Sequence, residues 1–210
     1  MARTRIKLCG ITRLEDALSG VRAGADALGF VFYKKSPRYI TPEAVREIRD
    51  RLPAFVTVVG LFVNHSKAEI EQINNVAGLD LFQFHGDELP AFCQQFNKPF
   101  IKAVRVQDRW TVTRAMADYV AARGILADTY VHGVPGGTGE VFDWELLPKN
   151  CGDRLILAGG LNASNVAGAI RSVQPYAVDV SGGVEKDKGI KDKDAIIAFV
   201  KEVQGAKPVF

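Results

Sequence analysis

The chain has 210 residues, 47% of them apolar and 24% charged, and 27 basic against 24 acidic side chains leave a net charge of +3. That composition excludes disorder, collagen and coiled coil as readings of the whole chain, and so small a charge gives no nucleic-acid footprint. Three cysteines (Cys9, Cys93, Cys151) are odd in number and lack metal-ligand spacing, so neither a disulfide scaffold nor a metal site is expected. No basic-then-apolar leader and no apolar run of about 18 residues occurs, so no membrane partner is expected and a reducing cytoplasm is the expected location.

Short apolar runs recur along the whole chain. In order they are Arg5–Cys9, Ala25–Phe32, Phe55–Val63, Leu79–Phe84, Phe100–Val106, Gly124–Asp128, Arg154–Ala158 and Tyr176–Val180. Runs of this length rich in Val, Ile, Leu and Phe read as strands covered on both faces, as parallel strands are. Helical patterns lie between them. Thr12 to Glu15 has the form of a capping box, with Leu14, Leu18 and Val21 on one face after it. Thr41-Pro42 sets a capping hydroxyl before a first-turn proline, and Ser66 to Glu69 is a second capping box. Asn162 is placed to cap a helix carrying Val166, Ile170 and Val173, and Asp192 or Asp194 to cap a last helix. The segments after Phe84 and Val106 are less regular, and the one after Asp128 is mostly glycine and loop residues. Even spacing without a composition break favours a closed (β/α)8 TIM barrel over a doubly wound sheet, as a single domain over 1–210.

In a parallel barrel the reactive residues sit at the C-terminal ends of the strands. Those ends carry Cys9, Asn64, His85, Arg105, Asp128, Gly159-Gly160 and Asp179 with Ser181-Gly182-Gly183. Cys9 reads either as a small core residue or as a thiolate base, and the second role needs positive surroundings, which Lys7 on the same strand face supplies if it points inward. Asp128 reads as a turn cap or as a general acid with a pKa raised by burial. The two glycine turns at Gly159-Gly160 and Ser181-Gly182-Gly183 suit a phosphate, because glycine lets backbone N–H groups approach an anion. Arg38, after Ser36-Pro37, is either solvated beside Lys34 and Lys35 or a bidentate clamp for a carboxylate. Gln83 and His85 end the fourth strand, and His85 either contacts ligand or bonds backbone. His65 and His132 have no partner spacing. Residues 135–139 resemble a lid, with Phe142-Asp143-Trp144 as an anchor for its far end.

Lys7-Leu-Cys-Gly-Ile-Thr12, Gly24 to Phe30, Ser36-Pro-Arg38, Gly60 to Asn64, Gln83-Phe-His-Gly86, Gly136 to Gly139, Phe142-Asp-Trp144, Leu157 to Leu161 and Val178 to Gly182 occur in this order. Together they resemble the phosphoribosylanthranilate isomerase family of tryptophan biosynthesis. The family usually reads Ser-Ser-Gly where this chain has Ser181-Gly182-Gly183, so a backbone N–H or water must replace any hydroxyl contact there. The resemblance implies an Amadori rearrangement of N-(5-phosphoribosyl)anthranilate with no cofactor. It implies Asp128 as general acid, Cys9 as general base and Arg38 on the anthranilate carboxylate. Asp179 is expected on a sugar hydroxyl or in support of loop geometry. The rivals are another enzyme on the same fold, either a thiamine-phosphate synthase-like transferase, which wants magnesium-binding carboxylates, or another aminoaldose isomerase, and a phosphosugar-binding protein that has lost the chemistry. A monomer is expected, because no sustained exposed apolar helix face stands out.

Overall fold

A computed structural model describes residues 3–129, 143–148 and 151–206. Eight parallel strands close into a barrel in chain order, with β1 hydrogen-bonded to both β2 and β8. They are β1 (Arg5–Cys9), β2 (Ala27–Val31), β3 (Thr57–Phe62), β4 (Leu81–Phe84), β5 (Phe100–Val106), β6 (Gly124–Thr129), β7 (Leu155–Leu157) and β8 (Ala177–Val180). All eight expected strands are present, trimmed by a residue or two where an apolar run extends into its loop. The helices are α1 (Leu14–Ala23), α2 (Pro42–Arg49), α3 (Lys67–Ala77), α4 (Pro90–Cys93), α5 (Thr111–Asp118), α6 (Val166–Val173) and α7 (Lys193–Gly205).

Strand alternation divides the core into two layers. Residues such as Ile6, Leu8, Leu28, Phe30, Val178 and Val180 face outward and join the helices in one large cluster. The alternate residues fill the barrel, in one small cluster around Leu126, Ile101 and Ala158 and another around Cys9, Val31 and Leu61. The outer layer holds the fully buried phenylalanines and most of the fully buried leucines, each worth roughly 1.5–3 kcal/mol on burial, so it carries most of the stability. The short α4 covers little of the sheet. Phe84, Phe92, Phe96 and Phe100 fill the gap, packing with ring centroids 5.5–6.1 Å apart.

The Ser66–Glu69 capping box forms in both directions, and Thr41 accepts from the Ala44 N–H as expected. Asp192, rather than Asp194, caps α7. Two expected caps do not form. Arg13, not Thr12, is the N-cap of α1 and makes no side-chain cap bond, and the Thr12 hydroxyl donates to the Gly189 carbonyl. Asn162 bonds Ser164 in a turn ahead of α6, which starts only after Asn165. Gly189 belongs to an unexpected feature. After β8 the chain makes a small antiparallel hairpin of β9 (Glu185–Asp187) and β10 (Ile190–Lys191). Gly189 sits in its turn at φ 81°, a conformation costly for other residues.

Candidate active site

The C-terminal ends of the strands surround one cavity. Cys9, Arg38, His85, Asp128, Asp179 and the glycine turns after β7 and β8 all line it, with Gln83 at its base. These expected site residues therefore meet in one place, whereas Asn64 and Arg105, at the ends of β3 and β5, line other clefts. Residues 135–139, Phe142 and His132 lie outside the described residues. Of the expected anchor, Asp143 caps a short 3-10 turn and Trp144 packs on the outer core.

On one side the site is built from charge. Lys7 points inward, and its Nζ lies 2.8 Å from both oxygens of Asp179. The two residues are partners in the β1–β8 register, so strand pairing delivers the ion pair. Burial works against the Lys7 charge, but Asp179 and the neighbouring Cys9 outweigh it and hold the ammonium above the usual lysine range. Gly29 on β2 makes the room: a Cβ there would lie 2.9 Å from Cys9 Sγ and 3.1 Å from Lys7 Nζ. Cys9 is buried among Val31 and Leu61. Burial pushes its thiol up, Asp179 adds to the rise, and Lys7 and Lys191 pull against it without reversing it. The positive surroundings are thus present, but Asp179 already answers part of them.

The other side is built from hydrogen bonds. Asp128 Oδ1 accepts from the Thr129 N–H at 2.9 Å, a contact that a turn cap would make. Its Oδ2 lies 3.2 Å from His85 Nε2, which a cap does not need. Gln83 Nε2 lies 2.9 Å from His85 Nδ1. His85 bonds these side chains rather than backbone. With the Gln83 amide N–H donating to Nδ1, the neutral ring carries its proton on Nε2 and donates it to Asp128. Gln83 Oε1 is buried without a partner among the described residues. Turning the amide over presents that oxygen to Nδ1, so the same three residues can serve a ring protonated at Nδ1.

Arg38 is not a solvated arginine. Its side chain is 12% exposed, and Nε and Nη2 donate to Glu185 at 2.8 and 2.7 Å. Neither Glu185 nor Lys191, which pairs with it, was among the expected site residues. Both lie on the charged hairpin after β8, where acids and lysines alternate and nothing in the sequence singles out these two.

The glycine turns are tight. Gly159 and Gly160 have φ of 84° and 61°. A Cβ at Gly183 would overlap the Leu161 carbonyl, so the loops after β7 and β8 touch backbone to backbone. Gly182 and Gly183 open a 3-10 turn, so their N–H groups have no carbonyl behind them in that turn and suit an anion. The Ser181 hydroxyl is buried beside them without a partner among the described residues.

The family described as N-(5'phosphoribosyl)anthranilate (PRA) isomerase matches residues 6–202 of this chain. A relative from Pseudomonas putida, named N-(5'-phosphoribosyl)anthranilate isomerase, is 57% identical over 206 residues, covering 98% of this chain and all of that one. A phosphoribosyl anthranilate isomerase solved with reduced 1-(o-carboxyphenylamino)-1-deoxyribulose 5-phosphate is 42% identical, with a TM-score of 0.82, covering 96% of this chain and 99% of that one. A Thermotoga maritima structure, described as monomers generated from a dimeric enzyme of the same name, is 41% identical at the same TM-score of 0.82 and the same coverage, 96% and 99%.

Proposed function

The chain belongs to the N-(5'-phosphoribosyl)anthranilate isomerase family, and from that premise we propose that Cys9 is its general base and Asp128 its general acid. It is an enzyme of tryptophan biosynthesis. It converts N-(5-phosphoribosyl)anthranilate, an aminoaldose, to 1-(2-carboxyphenylamino)-1-deoxyribulose 5-phosphate, an aminoketose, by an Amadori rearrangement. The observation that carries the assignment of roles is the shared cavity: a thiol from β1 and a carboxyl from β6 face the same space.

Ring opening needs a proton on the furanose oxygen, and Asp128 donates it. His85, 3.2 Å from Asp128, and Gln83 behind it fix the orientation of the carboxyl, and the Gln83 amide can present its donor or its acceptor end to the ring. The protonated imine then acidifies the hydrogen on C2. Cys9 removes it, the electron pair moves toward nitrogen, and the enolamine tautomerises to the ketone. Cys9 acts from its thiolate: burial and Asp179 push the thiol pKa up, Lys7 pulls it down, and the iminium adds a second positive charge beside it. The turns at Gly159, Gly160, Ser181, Gly182 and Gly183 hold the phosphate, and the free edge of Arg38 holds the anthranilate carboxylate. Binding at both ends orients the reacting carbon. Asp179 acts through Lys7, which supports its role in site geometry over direct contact with a sugar hydroxyl.

All these residues come from one chain, and we propose a monomer as the working unit, inside the cytoplasm. No helix among the described residues is long and apolar enough to cross a membrane. Phe55, in the loop before β3, is fully exposed at φ 68° and is, among the described residues, the large apolar residue most open to a second copy. Light scattering across a concentration series decides the state, and a dimer mass would overturn the monomer.

The assay is direct. The anthranilate adduct is made in situ from anthranilate and phosphoribosyl pyrophosphate, and its fluorescence is followed with and without the protein. Decay that stays at the spontaneous rate would overturn the reading. Arg38→Ala is expected to raise KM with kcat largely kept, and an unchanged KM would remove Arg38 from the carboxylate.

A further inference from the structure

We propose that Glu185 is a positioning residue for Arg38, carried to the site on the β9–β10 hairpin as a rigid arm. The proposal rests on Arg38 as the carboxylate clamp and adds what aims it. Glu185 takes Arg38 Nε at 2.8 Å and Nη2 at 2.7 Å, a side-on bidentate pair. That pairing sets the plane of the guanidinium and leaves Nη1 with no partner among the described residues, on a side chain that lines the cavity. The stem of Arg38 runs across Gly10, where a Cβ would overlap its Cδ. The guanidinium is thus fixed at both ends.

A carboxylate alone would cancel the charge that Arg38 needs for an anionic ligand. Lys191 prevents that. Its Nζ lies 2.8 Å from Glu185 Oε1, so one acid faces two cations and the group keeps one net positive charge. Burial opposes ionisation of Glu185, but Arg38 and Lys191 outweigh it and hold the carboxyl below its ordinary range. Lys191 also donates to the carbonyls of Cys9 at 2.6 Å and Ser181 at 3.1 Å. Its own N–H bonds Asp16 on α1 at 3.0 Å. The hairpin is therefore tied to the strand end that bears the base, to the phosphate turn and to a helix. It transmits the barrel's geometry to Arg38, whose own loop is otherwise on the rim.

The test compares two ligands in wild type, E185Q, E185D, R38A and the double variant R38A/E185Q. One probe is reduced 1-(o-carboxyphenylamino)-1-deoxyribulose 5-phosphate, and the other is inorganic phosphate. E185Q is expected to raise KM and weaken the analogue about tenfold, with kcat and phosphate affinity kept. E185D, shorter by one CH2, is expected to fall between wild type and E185Q, and it carries the test if E185Q does not fold. The double variant is expected to bind the analogue no more weakly than R38A, because Glu185 acts through Arg38. Equal loss for both probes, or a fall in kcat with KM unchanged, would make Glu185 merely structural and overturn the proposal. If R38A itself leaves the analogue's affinity unchanged, the clamp reading fails and takes this one with it. If R38A weakens the analogue and E185Q does not, only the positioning role is lost.

Discussion

The two sides of the barrel mouth solve different problems with different forces. Around Cys9 the chain collects formal charges, Lys7 on Asp179 and Lys191 on Glu185, each pair with N–O contacts at 2.8 Å. Around Asp128 it collects hydrogen bonds, from Thr129 and through His85 to Gln83. A thiol must lose its proton to act as a base, and in a buried site that needs a field. A carboxyl that gives its proton must be aimed at the acceptor, and that needs hydrogen bonds. The contrast predicts that variants on the first side move pH profiles, while variants on the second side lower turnover.

The largest effects are expected where the chemistry is removed from either side. Cys9→Ala and Asp128→Asn should each lower kcat by about 10²- to 10⁴-fold while the reduced product analogue still binds, as titration calorimetry can show. Turnover near wild type in Cys9→Ala would leave the thiol as core packing.

The next effect separates the two sides. Removing Lys7 alone would strand a buried carboxylate, so Lys7→Gln is paired with Asp179→Asn. Lys7 lowers the Cys9 pKa more than Asp179 raises it, so the thiol pKa rises in the double variant. Activity that requires the thiolate increases with pH, and its rise should therefore move to higher pH. An unmoved profile would break the link between field and base. On the other side, His85→Gln should lower kcat about tenfold with the basic rise in place. A shifted basic rise there would merge the two sides into one coupled network.

Variants in the phosphate turns are expected to act on binding and stability and to leave the chemical step least changed. Gly183→Ala should weaken inorganic phosphate and lower the melting temperature, because its Cβ would overlap the Leu161 carbonyl. Gly182→Ser, which restores the serine usual in the family, should change stability by no more than about 0.5 kcal/mol. A Cβ at Gly182 meets only Arg38 Nη2, at 3.5 Å. A large loss in Gly182→Ser would show that the turn depends on glycine at both positions.

Much of this was legible in the residues alone. The strands were, since a parallel strand buried on both faces must be a continuous apolar run between loops. The Ser66 and Thr41 caps were, since the groups that make them lie three residues apart. Thr12 was misleading because its hydroxyl has a partner 177 positions away that local spacing does not reveal. The hairpin was hidden for a related reason. Glu185–Asp187 and Ile190–Lys191 are too short and too charged to show a strand period.

By itself, then, the sequence determined the order of eight strand–helix units, the residues at the strand ends, and the glycine turns, because each follows from local periodicity or local backbone need. Only the tertiary structure decided what those residues do to one another. Lys7 meets Asp179 because ring closure sets β1 against β8, Arg38 meets Glu185 across 147 positions, and Asp128 meets His85 across 43. The energy of an ionic contact depends on distance and on burial, and neither is set until the barrel closes.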